Sequence, residues 1–345
     1  MSGVMHDHPE CLRYGAENSD VMRAPRETSV ATAGTKGNPD MKIFSICCVR
    51  DENDIVGETL KAALAWSDRI FVFDNGSTDG TWETLQDLAK RYPKIELVGH
   101  DDRTFTDELR GEIFEARRHV ASPGDWWCRL DADEFFIDDP AQFLGNVPQS
   151  YGFVFSATMN FYFTDADLKN YEENPAAWLA RPVQERLRYY QNNWSEPRFV
   201  RHRSDLRWGG LIWPHNRGRT LPSRIRLKHF PYRSPAQISR RLAIRQQQPG
   251  LFKHEANRAL AKGGRADWID KDPMPVHELA SWRDRVREAV ECDVDRGDGM
   301  FLTRDDLMPP LPSPALDLVK VGLRRTEVGR AMLSTLVRWR RSQFG

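Results

Sequence analysis

The chain has 345 residues, 40% of them hydrophobic, which is enough for one large domain with an appendage and a true core. Lys plus Arg equals Asp plus Glu at 50 each, so no overall charge favours nucleic acid or a membrane, and any such bias must be local. No stretch approaches the roughly 18–20 uninterrupted apolar residues of a membrane span, and "MSGVMHDHPECLRYGAENSD" lacks the apolar centre of a secretory signal. Three of the five cysteines (Cys47, Cys48 and Cys128, but not Cys11 or Cys292) lie in apolar, strand-like segments, which suits reduced thiols and a cytoplasmic protein.

Residues 1–40 show no sustained period and end in the small, polar "SVATAGTKGNPD", so a disordered tail is expected, with order beginning at Met41. "KIFSICCV" reads as a strand, and "DENDIVGETLKAALAWS" sets Ile55, Leu60 and Leu64 at helical spacing. "RIFVFD" is a second strand ending in Asp74, and "NGSTDG" supplies turn chemistry. "TWETLQDLAKRY" places Trp82, Leu85, Leu88 and Tyr92 on one stripe until Pro93 stops it. "IELVGH", the helical "FTDELRGEIFEARRHVA", the breaker "SPGD" and a fourth strand, "WWCRLDADEFF", follow. Alternating strands and helices predict an α/β fold, a mostly parallel sheet with helices on both faces.

In such sheets ligands bind beyond the carboxyl ends of the strands. That edge carries Arg50 and Asp51, Asp74 and Asn75, His100 and Asp101, then Asp131 and Asp133. Asp131, Asp133 and Glu134 crowd together beside apolar neighbours, and such a cluster calls for a positive partner. A divalent cation, Mn2+ or Mg2+, with a phosphate-bearing ligand suits this chemistry, because hard cations take carboxylate and phosphate oxygens. If the segment is extended, Asp131 and Asp133 share one side and Ala132 points the other way.

At these residues the chain resembles the family 2 glycosyltransferases and their GT-A fold. "SICCVRDENDIVGETL", "VFDNGSTDGTWETL" and "DWWCRLDADEFF" carry the resemblance, closely over about 42–140 and loosely to about 240. It implies transfer of a sugar from a nucleotide-diphosphate donor to a glycan or lipid-linked acceptor, usually with inversion. It implies that Asp74 reads the base with the backbone of Val49 to Asp51 packing against it, that Asp131 sits near ribose and metal, and that Asp133 is the principal metal ligand. Arg110 or Arg117 is expected to face the donor. His229 in "RLKHFPYRS" is expected either to complete the metal site or to be a core histidine, with His215 in "WPHN" as its competitor. For the catalytic base the chain offers Glu185, Glu196 and Asp205, of which Glu196 in "NNWSEPRF" is the first choice and Asp205 the second.

Between Arg198 and Arg245 stand twelve arginines and Lys228 against Asp205 as the only acid. A nucleic-acid groove has such a composition, but a diphosphate donor, a phosphorylated acceptor or an anionic membrane is equally served, and nucleic acid is not expected. The domain organisation predicted is a catalytic domain over 41–235, a helical extension over 236–308, and a linker with a basic amphipathic helix over 309–345. The extension includes "PVHELASWRDRVREAV", with Leu279, Trp282, Val286 and Val290 on one face. The final helix is expected either to touch a membrane or to pack on the domain. A sugar-phosphate nucleotidyltransferase would bring a glycine-rich basic loop after the first strand, and an oxidoreductase a G-x-G-x-x-G; neither is present. A non-catalytic carbohydrate-binding scaffold of the same fold stays open.

Overall fold

The computed structural model describes residues 40–247 and 281–304, apart from 104, 107, 209–212 and 215, and scattered positions between 308 and 335. The expected N-terminal tail, His215 and most of the expected C-terminal helix lie outside the described residues. In chain order the first half holds β1 (Ile43–Val49), α1 (Val56–Ala63), β2 (Arg69–Asp74), α2 (Thr81–Arg91), β3 (Ile95–His100), α3 (Glu108–Arg117), β4 (Trp126–Leu130) and β5 (Glu134–Phe136). The second half holds α4 (Pro140–Gly145), β6 (Tyr151–Phe161), α5 (Asp165–Glu173), α6 (Pro175–Leu179), α7 (Val183–Arg186), β7 (Tyr189–Trp194), β8 (Pro197–Arg201), β9 (Arg219–His229), α8 (Pro235–Gln247) and β10 (Asp293–Val294).

The strands β3, β2, β1 and β4 lie side by side and parallel. β1 is apolar apart from Ser45 because both its faces are covered. Ile43, Cys47 and Val49 join a core with Val56 and Leu60 of α1 and Leu85 and Leu88 of α2. Phe44 and Ile46 join a second core with Leu109, Ile113 and Phe114 of α3. These two cores fix the sheet between its helices, as the sequence pattern predicts.

Beyond β4 the pairing changes. β8 is antiparallel to β4 and β6, β7 is antiparallel to β6, and β10 is antiparallel to β7, while β9 runs parallel to β6 and antiparallel to β5. The sheet is therefore mixed. β7 and β8 lie end to end along β6, separated by Ser195 and Glu196, and the register slips on either side of that break, between Thr158 and Met159 and between Val154 and Phe155. Such a bulge bends the strand and re-aims a side chain.

The helical reading of "PVHELASWRDRVREAV" is corrected over its described part. Residues 282–285 and 289–291 are short 3-10 turns, followed by β10. Ser281 and Asp284 cap the first turn reciprocally, and Arg287 then exchanges backbone hydrogen bonds with Phe163 and Asp165. Tertiary pairing of that backbone displaces the helix. Trp282 and Val286 still pack on the core of the second half, whereas Val290 is 88% exposed.

Candidate active site

The loops after β1 and β2 are laced together at the carboxyl edge. Val49 gives its carbonyl to the Asn75 N–H (2.8 Å), so its backbone is engaged within the fold. Asp51 has a left-handed backbone (φ 53°), and its Oδ1 accepts from the Thr78 N–H at 2.6 Å. Gly76 (φ 73°) permits the β2 loop to meet the next one, because a Cβ there would stand 2.7 Å from Asp102 Cβ. Asp74 is wholly buried: its Oδ1 accepts from the Ser77 N–H (2.8 Å) and stands 3.0 Å from His100 Nδ1. Its Oδ2 is buried and has no hydrogen-bond partner, an acceptor turned to where a ligand donor would complete it.

The acidic segment is a turn and not an extended strand, closed by Glu134 N–H on Asp131 O (3.3 Å). Asp131 and Asp133 consequently point to different neighbours, which corrects the expectation of a shared face. Ala132 does turn away, into the core with α1 and α2, and its carbonyl accepts from Thr59 Oγ1 (2.7 Å). Asp131 meets Arg110 Nη2 (2.9 Å), Arg198 Nη2 (3.4 Å) and Arg129 Nε (3.5 Å). Burial pushes its carboxyl up, but Arg129, Arg198 and Arg110 outweigh burial and hold it well below the usual carboxylate range.

Asp133 faces the other way, with Oδ2 3.5 Å from His229 Nε2, 3.4 Å from Arg241 and 3.9 Å from Arg233. His229 arrives through the β5 and β9 pairing, which sets Glu134 opposite it. Its Nδ1 lies 2.8 Å from Asn160 Oδ1, an acceptor that places a proton on Nδ1 and leaves Nε2 facing the Asp133 carboxylate. Burial opposes charge on both groups, yet Asp133 holds the imidazole above its usual range and His229 first, then Arg241, holds Asp133 below its own.

The antiparallel register of Cys128 with Phe199 carries Arg198 and Glu196 alongside Arg129 and Asp131. Glu196 accepts from Trp194 Nε1 (2.7 Å) and Arg198 Nη1 (3.0 Å), and is 28% exposed. Burial raises its carboxyl, but Arg198 and Arg129 prevail and keep it ionised. Arg198 also grips Glu134, whose other oxygen is buried without a partner; burial lifts Glu134 to about 7 against the arginine.

Three candidate residues are not brought here. Asp205 follows His202, whose N–H bonds the Asp125 carbonyl at the opposite end of β4, and it pairs with Arg203 at 3.0 Å. Arg117 lies at the far end of α3 on Glu96 (2.8 Å). Glu185 sits on α7 and is exposed. Sequence reasoning missed Arg198, Arg233 and Arg241 as site residues because each was one cation in a long basic run. The one available signal was parity: Glu196 and Arg198 stand two apart in a strand-like segment.

Residues 45–142 match the profile of glycosyl transferase family 2. The match spans less than a third of the chain, from β1 into α4. The matched stretch sets its acidic turn at the carboxyl edge of the sheet. Among solved structures, the mannosyltransferase PcManGT from Pyrobaculum calidifontis, in complex with GDP-Man and Mn2+, is similar at 16% identity over 66% of this chain and 67% of that one, with a TM-score of 0.34. S. aureus TarS 1-349 is similar at 14% identity over 68% and 73%, with a TM-score of 0.29. A mycobacterial protein is similar at 14% identity over 47% and 54%, with a TM-score of 0.25. No curated protein matches the sequence.

Proposed function

We propose that this protein is a glycosyltransferase that moves a sugar from a nucleotide-diphosphate donor to a hydroxyl of a glycan or lipid-linked acceptor, with inversion, inside the cell. The observation that carries this reading is the convergence of Asp133 and His229, 3.5 Å apart, at the carboxyl edge of the sheet. A carboxylate oxygen and an imidazole nitrogen that close suit one divalent cation, Mn2+ or Mg2+. Among the described residues no three His, Cys, Asp or Glu stand together as a metal group, which suits a shell completed by phosphate oxygens and water. A cation held there would neutralise charge developing on the departing diphosphate.

Asp74 offers its unpartnered Oδ2 to an N–H of the nucleotide base. Asp131, kept ionised by Arg129, Arg198 and Arg110, takes the ribose side. In the transfer the acceptor hydroxyl oxygen bonds to the anomeric carbon, its proton passes to Glu196, and the bond to the diphosphate breaks with the electron pair leaving on phosphate oxygen. Trp194 and Arg198 orient that carboxylate. Calorimetric titration with UDP and GDP, each with and without Mn2+, on the wild type and Asp133→Ala tests the reading. One nucleotide is expected to bind only with both Mn2+ and Asp133. Binding of neither nucleotide under any condition would overturn the reading in favour of a carbohydrate-binding scaffold.

A further inference from the structure

Two adjacent arginines of α8 reach the carboxyl edge. Arg240 Nη1 donates to Asp79 Oδ2 in the β2 loop at 2.7 Å. Arg241 Nη1 faces two carboxylates at once, Glu52 Oε1 at 3.0 Å and Asp133 Oδ2 at 3.4 Å. The neighbouring Arg233 is a different kind of residue. It is fully buried and engages Glu52, Asp54 and the Phe230 carbonyl, so it belongs to the frame. Arg241 is 22% exposed on its side chain, its guanidinium lies over the Tyr232 ring, and its Nε is buried with no hydrogen-bond partner among the described residues.

A guanidinium is a rigid fork of five donors built to match carboxylate or phosphate oxygens in pairs. A buried N–H of that fork left without an acceptor costs stability unless a ligand supplies one. We infer that Arg241 is a binding residue for the diphosphate of the donor, and that it exchanges Asp133 for phosphate oxygens when a cation occupies Asp133. The inference rests on the nucleotide-diphosphate reading above. The exchange leaves no charge alone: the cation answers Asp133, and Arg241 answers the phosphate. It also gives the free protein a guard, since in the absence of donor Arg241 competes with any cation for the Asp133 oxygen.

The two consequences have opposite signs, which separates them from a structural role. Calorimetry on Arg241→Gln is expected to show Mn2+ alone binding several-fold tighter than to the wild type, and the preferred nucleoside diphosphate with Mn2+ binding about tenfold weaker. The matching nucleoside monophosphate should change less than the diphosphate. Arg241→Lys, which keeps the charge but lacks the fork, serves if the Gln variant does not fold, and is expected to weaken the diphosphate several-fold with Mn2+ alone unchanged. Diphosphate affinity within about twofold of wild type in both variants, or parallel loss of Mn2+ and diphosphate binding, overturns the inference. A wild type that binds neither UDP nor GDP overturns the donor reading itself, a separate outcome.

Discussion

Asp131 and Asp133 are two residues apart and have different chemical lives, because the chain turns between them. Asp131 is enclosed by guanidinium groups and stays ionised, whereas Asp133 meets an imidazole and a half-exposed arginine. The same scale separates Glu196 from Asp205. Glu196→Gln removes the proton acceptor and keeps one of the two oxygens that accept from Trp194 (Oε1) and Arg198 (Oε2), so turnover is expected to fall about a hundredfold to ten-thousandfold with nucleotide affinity retained. Asp205→Asn is expected to leave turnover at the wild-type value, since its carboxylate is 62% exposed at the opposite end of β4. Steady-state kinetics of sugar transfer on both variants checks the pair, and a turnover loss in Asp205→Asn alone would move the base away from Glu196.

Elements are joined to the site by buried charge and by caps. Arg233 binds the β1 loop to the segment after β9 through Glu52 and Asp54. Removing it leaves two carboxylates enclosed without their cation, so Arg233→Ala is expected to cost about 3–5 kcal/mol in urea denaturation. At α5, Thr164 caps the helix on Asp167, whose Oδ2 accepts from the Thr164 N–H (2.9 Å) and Oγ1 (2.7 Å). Burial raises Asp167 from its ordinary 3.8 to about 6 despite these donors. A carboxyl raised on folding favours the protonated state, so its contribution is full below about pH 4 and is lost as pH rises through about 6. Asp167→Asn keeps an acceptor and does not titrate. Its stability relative to wild type should therefore rise between pH 4 and 6, by at most about 3 kcal/mol, as read from urea midpoints. A constant difference across that window would show that Asp167 keeps its ordinary value.

Across the whole molecule, several cations of the basic run that begins at Arg198 meet acids far away in sequence. Arg198 meets Asp131 and Glu134, Arg226 meets Asp138, Arg233 meets Glu52 and Asp54, Arg240 meets Asp79, and Lys228 meets Asp295. The pairs of Arg198, Arg233 and Arg240 therefore stitch the antiparallel half onto the parallel half. A ligand that bridges both halves should stabilise the folded state by mass action, about 2.7 kcal/mol at a hundred times its dissociation constant. A nucleoside diphosphate with Mn2+ is expected to raise the melting temperature of the wild type and to leave that of Asp133→Ala unmoved. A shift of equal size in both would place the ligand away from Asp133.

The parallel half was legible in the sequence because its signals are local. Apolar runs, helical stripes and the "NGSTDG" turn act over a few residues, and the carboxyl edge follows from their order. That logic alone brought Asp74, Asp131 and Asp133 to one edge. It failed where distant backbone competes with local preference, as at Arg287 on Phe163 and Asp165, and where a turn breaks a strand at Ala132. Which of thirteen cations meets which carboxylate depends on register between β4 and β8 and between β5 and β9, set by contacts some 70 to 100 residues apart. Composition and period determined the layers and the chemistry available. Only tertiary structure decided that Glu196 joins Asp131 while Asp205 does not, because a strand's partner and direction, not its own residues, fix the end of the sheet at which its side chains lie.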